Sequence, residues 1–245
     1  MRIPRLYLPG PLMIGATVAL DGQAFNHAVR VLRLKPGAML TLFDGEGGAF
    51  AATLSEIGRR EAWVQVKGAL PGEAVASPLQ VMLAQGISRG EKMDYTLQKA
   101  VELGIAAIQP LFTERSSTAP GGERLARKIQ HWRGIIIGAC EQCGRNRLPE
   151  LREPLPLAEW LRRPGEPGAR LLLDPQAERG PRSLDAPVDA VTLLIGPEGG
   201  LSAAEALQAR AAGFAGIRLG PRILRTETAG VAALAAVQAL WGDWD

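Results

Sequence analysis

Two short segments near the end of the chain hold residue types from which a small-molecule site can be built. The first, "LLIGPEGGLS", drops an apolar run into Gly196-Pro197-Glu198-Gly199-Gly200, and a helix start follows. The second, "LGPRILRTETAG", sets Arg222 and Arg225 around Ile223-Leu224 and continues into Thr226-Glu227-Thr228, which offer capping groups to an almost wholly apolar helix. Glycine-rich turns between strand and helix commonly hold phosphate on backbone N–H groups. These turns depart from that use. They match neither G-x-G-x-x-G nor the lysine-bearing phosphate loop. Glu198 would repel an anion, and Ser202 and Glu205 are spaced as a capping box that occupies the donors of the next helix. A neutral or partly cationic ligand, held by backbone groups, fits better than phosphate.

The other reactive types carry less. Cys140 and Cys143 form a C-x-x-C inside "CEQCGRNR", but the pair ends a helical segment rather than following a strand, as a redox motif requires. His27 and His131 lie at spacings unrelated to a zinc site. Two reduced thiols on a helix end, with no metal, is the favoured reading.

The elements that must position these residues follow from periodicity. Residues 1–72 read as short strands, "RLYL", "MLTLFD", "GAFAATLSEI" and "AWVQVKGAL", around one helix, "GQAFNHAVRVLRL". That pattern predicts a small β-barrel. "PGEAVASP", residues 71 to 78, reads as a linker, which makes 73–245 a second domain. There strand and helix alternate, which predicts a parallel sheet covered on both faces. "LQVMLAQGI" is a strand, and Ser88 to Glu91 fit a capping box that opens a helix with Met93, Leu97, Ala100 and Val101 on one face, stopping at Gly104. Three later runs, "RLLLDP", "TLLIGP" and "IRLGP", each end in a turn containing proline. Ligands of open α/β sheets bind at the carboxyl ends of strands, so three such ends side by side would enclose one crevice. The last helix is apolar enough to be buried all round, or partly against another subunit.

Charge adds a weak pointer. Residues 1–72 hold eight Lys/Arg against five Asp/Glu, and residues 73–245 hold twenty of each, so the net +3 belongs to the first segment. His27, Arg30, Arg33 and Lys35 form one basic stretch; Arg124, Arg127, Lys128 and Arg133 form another. Both are candidate RNA contacts, although taken singly each residue reads better as solvated surface. The start, "MRIPRLYLPGPL", has no apolar block to make a secretory leader, and the longest apolar run, "AGVAALAAVQALW", falls short of the ~20 residues of a membrane helix. A soluble, cytoplasmic protein with no membrane partner is expected.

The two late segments closely resemble the signature loops of the RsmE-type ribosomal RNA uridine-N3 methyltransferases of the SPOUT class. "RIPRLY", "NHAVRVLRLKPG", "SRGEKMDYTLQKAVELG", "PLFTERS" and "ACEQCGRNRLPE" resemble further segments of that family in the same order, across nearly the whole chain. The resemblance implies a PUA-like RNA-binding barrel followed by an α/β domain whose end is tied in a trefoil knot, a feature that general rules of chain connection disfavour. It implies a homodimer that binds S-adenosyl-L-methionine and methylates N3 of one uridine in 16S rRNA, with the assembled small ribosomal subunit as substrate. It implies cofactor contacts from Gly196, Pro197, Glu198, Gly199 and Gly200 on one side and from Leu219, Gly220, Ile223, Leu224, Arg225 and Thr226 on the other, with Leu172 and Leu173 from the first strand. Asp174 stands where a fixed acid is not expected, which leaves its contact open. S-adenosylmethionine carries a sulfonium and no phosphate, so Glu198 meets no repulsion there.

Methylation at N3 requires loss of the N3 proton. Arg225 and Arg89 are candidates for stabilising charge on the uracil oxygens, with Glu141 as a candidate base. Glu91 ranks below them because the expected capping box occupies it. The alternatives are a non-catalytic RNA adaptor, which would bind no cofactor, and a SPOUT methyltransferase for another RNA position such as transfer RNA, against which the barrel segment argues mildly. A nicotinamide or phosphate-dependent enzyme ranks last, because neither fingerprint is present.

Overall fold

The structure, a computed structural model, describes residues 3–20, 22–71, 77–116, 121–165, 167–184 and 189–244. The linker expected at 71–78 falls largely outside them. The chain divides into two compact units: Met1–Ala76 with Ile137–Leu148, and Ser77–Ile136 with Pro149–Asp245. Segment Ile137–Leu148, which a boundary at 72/73 assigns to the second domain, therefore belongs to the first unit.

The first unit contains β1 (Arg5–Tyr7), β2 (Thr17–Leu20), α1 (Gly22–Phe25), a π-helical stretch (Asn26–Val31), β3 (Met39–Phe43), β4 (Ala49–Ile57) and β5 (Ala62–Ala69). Its sheet runs β1-β3-β4-β5-β2, with β1 parallel to β3 and the other pairs antiparallel. Two register shifts in the β4–β5 pair bend the sheet, as bulges do. No ladder joins β1 to β2 among the described residues, so the observed form is a curled sheet rather than a hydrogen-bonded closed barrel. Leu6, Leu20, Phe25, Leu40, Leu42, Leu54, Val64 and Val66 fill its concave side. The predicted single helix over 22–34 is instead a short α-turn continued as π-helix.

The second unit contains β6 (Gln80–Gly86), α2 (Glu91–Glu102), β7 (Ala107–Phe112), most of α3 (Gly122–Cys143), β8 (Glu150–Leu151), β9 (Leu155–Pro156), α4 (Leu157–Trp160), β10 (Ala169–Leu173), β11 (Ala190–Ile195), α5 (Ala203–Ala211), β12 (Ala215–Ile217) and α6 (Thr226–Trp241). All pairs are parallel, in the order β12-β10-β11-β6-β7-β8, with β9 also on β7. Strands β6 and β11 are buried along nearly their whole length, as central strands of a covered parallel sheet must be. Helix α2 buries Met93, Leu97, Ala100 and Val101, and Gly104 takes φ +83° just beyond its end. Helix α6 packs on α2, β6 and β11. It buries one face only, and Leu240 is 42% exposed, so it is not buried all round.

Three sequence expectations need correction. Ser88 to Glu91 make no capping box: α2 is capped by Gly90 at φ +47° without a side-chain bond, and the Ser88 hydroxyl donates instead to Gly86 O. Glu91 is exposed and uncommitted to a cap. The run "IRLGP" supplies only Ile217 to β12, because Arg218 leaves the sheet and donates its N–H to Arg179 O. Thr226 does not cap α6 from outside; it is the first helical residue, and Arg225 is the cap without a side-chain bond.

Candidate active site

β12, β10 and β11 lie side by side, so their carboxyl ends open on one crevice. Leu173 pairs with Ile217, and Ile195 pairs with Gln85 of β6, so the last residues of the strands stand in a row across the sheet. Leu173, Ile195 and Ile217 form the apolar floor, and Leu219, Leu224 and Ala229 add to the wall. Gly196, Pro197, Glu198 and Gly200 line one side; Gly220, Arg222 and Thr226 line the other. Asp174, Pro175 and Arg218 complete it.

The glycine turn is shaped by its own backbone. A Cβ on Gly196 would lie 2.7 Å from the backbone of Gly200 and Leu201, and Gly200 takes φ +68°. Gly86 is equally confined, since a Cβ there would lie 2.6 Å from the ring of Pro197. The turn is then tied to its neighbours. The Arg89 N–H donates to Glu198 Oε1 at 2.9 Å, and Lys92 Nζ lies 3.6 Å from the same oxygen. Burial pushes the Glu198 carboxyl up, but the Arg89 and Glu198 N–H groups and the Lys92 ammonium outweigh it and hold it below its ordinary value. Arg115 Nη1 donates to Gly199 O at 2.7 Å. Glu205 completes the capping box with Ser202 and also accepts the Glu114 N–H at 2.8 Å. Helix α5 therefore satisfies its own N-terminus, which agrees with a ligand other than phosphate. Ser202→Ala is expected to cost about 1 kcal/mol of unfolding free energy, read from urea denaturation.

Most of the residues singled out for the cofactor meet in this crevice, and four do not line it. Leu172 points to the other side of β10 and packs among Leu194, Ala209 and Phe214, because successive strand residues alternate faces. Gly199 presents its carbonyl to Arg115. Ile223 is 84% exposed, and Arg225, between two lining residues, is also turned to solvent. Asp174 belongs to the wall: Oδ1 accepts the Gln176 N–H at 2.9 Å, and Oδ2 pairs with Arg210. Arg218, Arg222, Pro175, Ile195, Ile217 and Ala229 were not singled out as cofactor contacts. The strand-final apolar residues and the proline after Asp174 were the signals for Ile195, Ile217 and Pro175.

The remaining candidates lie elsewhere. Glu141 is in the first unit, where Oε1 accepts the Tyr7 N–H at 3.0 Å and Oε2 meets His27 Nδ1 at 2.7 Å. Burial pushes its carboxyl above the ordinary range although Tyr7, His27 and Arg5 pull it down. Arg30 lies 6.0 Å over the Phe25 ring, Arg33 holds φ +53°, and Arg33 and Lys35 are exposed. A non-glycine residue at positive φ next to a π-helix marks a locally strained segment. On α3, Arg124, Arg127 and Lys128 share a face, whereas helical spacing sends Arg133 to the opposite side. Lys128 stacks 5.2 Å over Trp132, and burial lowers its ammonium pKa. Cys140 and Cys143 are free thiols at the end of α3. Among the described residues no cluster of His, Cys, Asp and Glu is arranged to hold a metal, and no helix is long and apolar enough to cross a membrane.

Comparison with known proteins agrees with this geometry. Residues 75–238 match the RNA methyltransferase domain family, and residues 20–67 match the RNA methyltransferase PUA domain. The ribosomal RNA small subunit methyltransferase E of Buchnera aphidicola from Schizaphis graminum is 36% identical over 247 residues, covering 99% of this chain and 98% of its own. A methyltransferase of Legionella pneumophila, solved with S-adenosylmethionine bound, superposes with a TM-score of 0.95 at 41% identity over 100% of both chains. The ribosomal RNA small subunit methyltransferase E of Neisseria gonorrhoeae, also bound to S-adenosylmethionine, gives 0.91 at 40% identity over 100% of both. With the crevice at the ends of its parallel strands and these likenesses over its whole length, the chain belongs to the RNA methyltransferases that include the ribosomal RNA small subunit methyltransferases E.

Proposed function

We propose that this chain methylates N3 of a specific uridine in the 16S rRNA of the small ribosomal subunit, using S-adenosylmethionine. The observation that carries the reading is the crevice at the ends of β10, β11 and β12, in a chain that matches cofactor-bound methyltransferases over its whole length. The residues present suit the cofactor. Leu173, Ile195, Ile217, Leu219 and Leu224 offer an apolar slot for a flat base, and Glu198 and Asp174 supply negative charge compatible with a sulfonium. When bound, S-adenosylmethionine supplies an electrophilic methyl group. The protein's part is to hold the uracil in line, which can recover roughly 7–11 kcal/mol of the barrier. Arg225 and Arg89 stabilise the negative charge left on the uracil oxygens as the N3 proton leaves, and the base must first leave its stack.

His27, Arg30, Arg33 and Lys35 of the first unit, with Arg124, Arg127, Lys128 and Arg133 of α3, engage the RNA backbone in this reading, residues 1–72 forming the RNA-binding domain and 73–245 the catalytic one. The chain acts in the cytoplasm as a homodimer with a knotted carboxyl end. The half-exposed apolar face of α6 supports the dimer. The route from edge strand β12 to α6, which packs on β6 and β11, supports the knot, because the chain must pass the ends of β10 and β11.

The test supplies purified protein and labelled S-adenosylmethionine to small subunits lacking the modification, beside naked 16S RNA and transfer RNA, followed by mass analysis of nucleosides. N3-methyluridine formed with the subunit is the expected result. Transfer to no RNA despite cofactor binding would refute the target, and absence of cofactor binding would favour the adaptor.

A further inference from the structure

The two loops that enclose the crevice meet at one buried point, and a residue from outside the crevice holds it. Thr226 Oγ1 donates to Gly196 O at 2.7 Å, joining the first residue of α6 to the first residue after β11. Gln85, the penultimate residue of β6, is 0% exposed and does not line the crevice. Its Nε2 donates to Thr226 Oγ1 at 3.0 Å, to Gly86 O at 2.9 Å and to Gly196 O at 3.4 Å. One amide nitrogen faces all three acceptors, with its two protons closest to Gly86 O and Thr226 Oγ1. Its Oε1 is buried without a partner. Turning the amide over would set that oxygen against the Gly86 and Gly196 carbonyls, so a single orientation is enforced. A buried polar group with an unmet acceptor is retained at a cost that apolar packing would avoid.

We propose that Gln85 is a positioning residue that fixes the spacing of the two crevice loops and thereby sets affinity for the cofactor without touching it. Its position in the sheet suits that part. Gln85 stands opposite Ile195 in the β11 ladder, so its backbone is fixed by β6 while its amide reaches both loops. Thr226 Oγ1 acts as the relay, accepting from Gln85 and donating to Gly196. Removing the Thr226 hydroxyl strands the Gly196 carbonyl, and removing the Gln85 amide strands the Gly86 carbonyl and unpins Thr226 Oγ1, so either change loosens the two loops.

This inference rests on the reading of the crevice as a cofactor site, and the experiment separates the two. Binding of S-adenosylhomocysteine is measured by isothermal titration calorimetry on the full chain, its Gln85→Met, Gln85→Glu, Thr226→Val and Thr226→Ser variants, and the Gln85→Met/Thr226→Val double variant. Unfolding midpoints are followed in parallel. Gln85→Met and Thr226→Val are each expected to weaken binding about tenfold to hundredfold, the range for stranding a buried acceptor. Thr226→Ser, which keeps the hydroxyl, should restore most of the affinity. The double variant should bind no worse than about threefold below the weaker single variant, because both disable one junction. In turnover the KM for S-adenosylmethionine should rise while kcat at saturation changes little, a split that general destabilisation would not produce. Gln85→Glu keeps the shape and, with its buried carboxyl held neutral, leaves one donor proton where the amide has two, and it stands in if the methionine chain does not fold. Unchanged affinity in a folded Gln85 variant, or losses that multiply in the double variant, would overturn the junction. No binding by the native chain would instead overturn the cofactor site itself.

Discussion

Gly196→Ala is expected to weaken cofactor binding by about tenfold to a hundredfold while leaving a folded chain. The added methyl would lie 2.7 Å from the Gly200 carbonyl carbon and the Leu201 nitrogen, and both are backbone, so no side chain can swing aside. The 196–200 turn must open. Opening moves the carbonyl that Thr226 holds, and it pushes Pro197 against Gly86, where the fit is already close. Overpacking of this kind costs typically ~1–3 kcal/mol, which the chain can meet by releasing the turn rather than the sheet. Loss should therefore appear in calorimetric titration with S-adenosylhomocysteine far more than in the unfolding midpoint. Gly220→Ala is the comparison for fold stability alone: no protein atom crowds the added methyl, so within the fold it carries a left-handed backbone penalty of about 1 kcal/mol. Native affinity in a folded Gly196→Ala chain would show that the turn does not shape the site.

The same pair of loops shows how much of this protein is legible in its sequence. The crevice was readable because three apolar runs end in turns of glycine or proline, and parallel strands expose their carboxyl ends together. What the sequence could not give was the reason for the glycines. Gly196 and Gly86 are small because the protein's own backbone and the Pro197 ring pass against them. Two identical patterns make the limit clear. Ser202-x-x-Glu205 forms its capping box, and Ser88-x-x-Glu91 does not, although the local sequences are equally suited. At Arg89 a long-range bond decides: its N–H is taken by Glu198, more than a hundred residues later, and Gly90 turns at φ +47° to start the helix two residues on. Local propensity loses to a tertiary hydrogen bond.

Contacts between distant positions were invisible for the same reason. Nothing around His27 marks Glu141 as its partner, and nothing in "LAQGI" marks Gln85 as the bond between two loops. The short β2 strand escaped because four residues give too little alternation to read. The π-helical turn at Asn26–Val31 has an ordinary helical pattern, and its extra residue per turn is settled by packing on the curled sheet.

Arg225→Ala is expected to lower kcat by about 10²–10³ with little change in affinity for S-adenosylhomocysteine. The argument begins with the carboxylates. Of those lining the crevice, Glu198 is held ionised by the Arg89 N–H and Lys92, and Asp174 is engaged by Arg210 and the Gln176 N–H. Glu141 has both oxygens occupied within the first unit. Each of these carboxylates is tied to protein donors that favour its staying where it is, so stabilising the uracil anion is the contribution the exposed arginine can make, and water can take the proton. Arg225 suits that work: it stands between Leu224 and Thr226, which line the crevice, and its guanidinium is exposed rather than committed to the wall. Its position at the cap of α6 adds the positive end of that helix to its own charge. Arg225→Lys keeps the charge but loses the planar fork, so it should recover only part of the rate. Glu141→Gln measured beside it should retain most of kcat, because the amide can still accept from Tyr7. A large kcat loss in Glu141→Gln with little loss in Arg225→Ala would reverse the assignment and make proton removal, not charge stabilisation, the step that this fold catalyses.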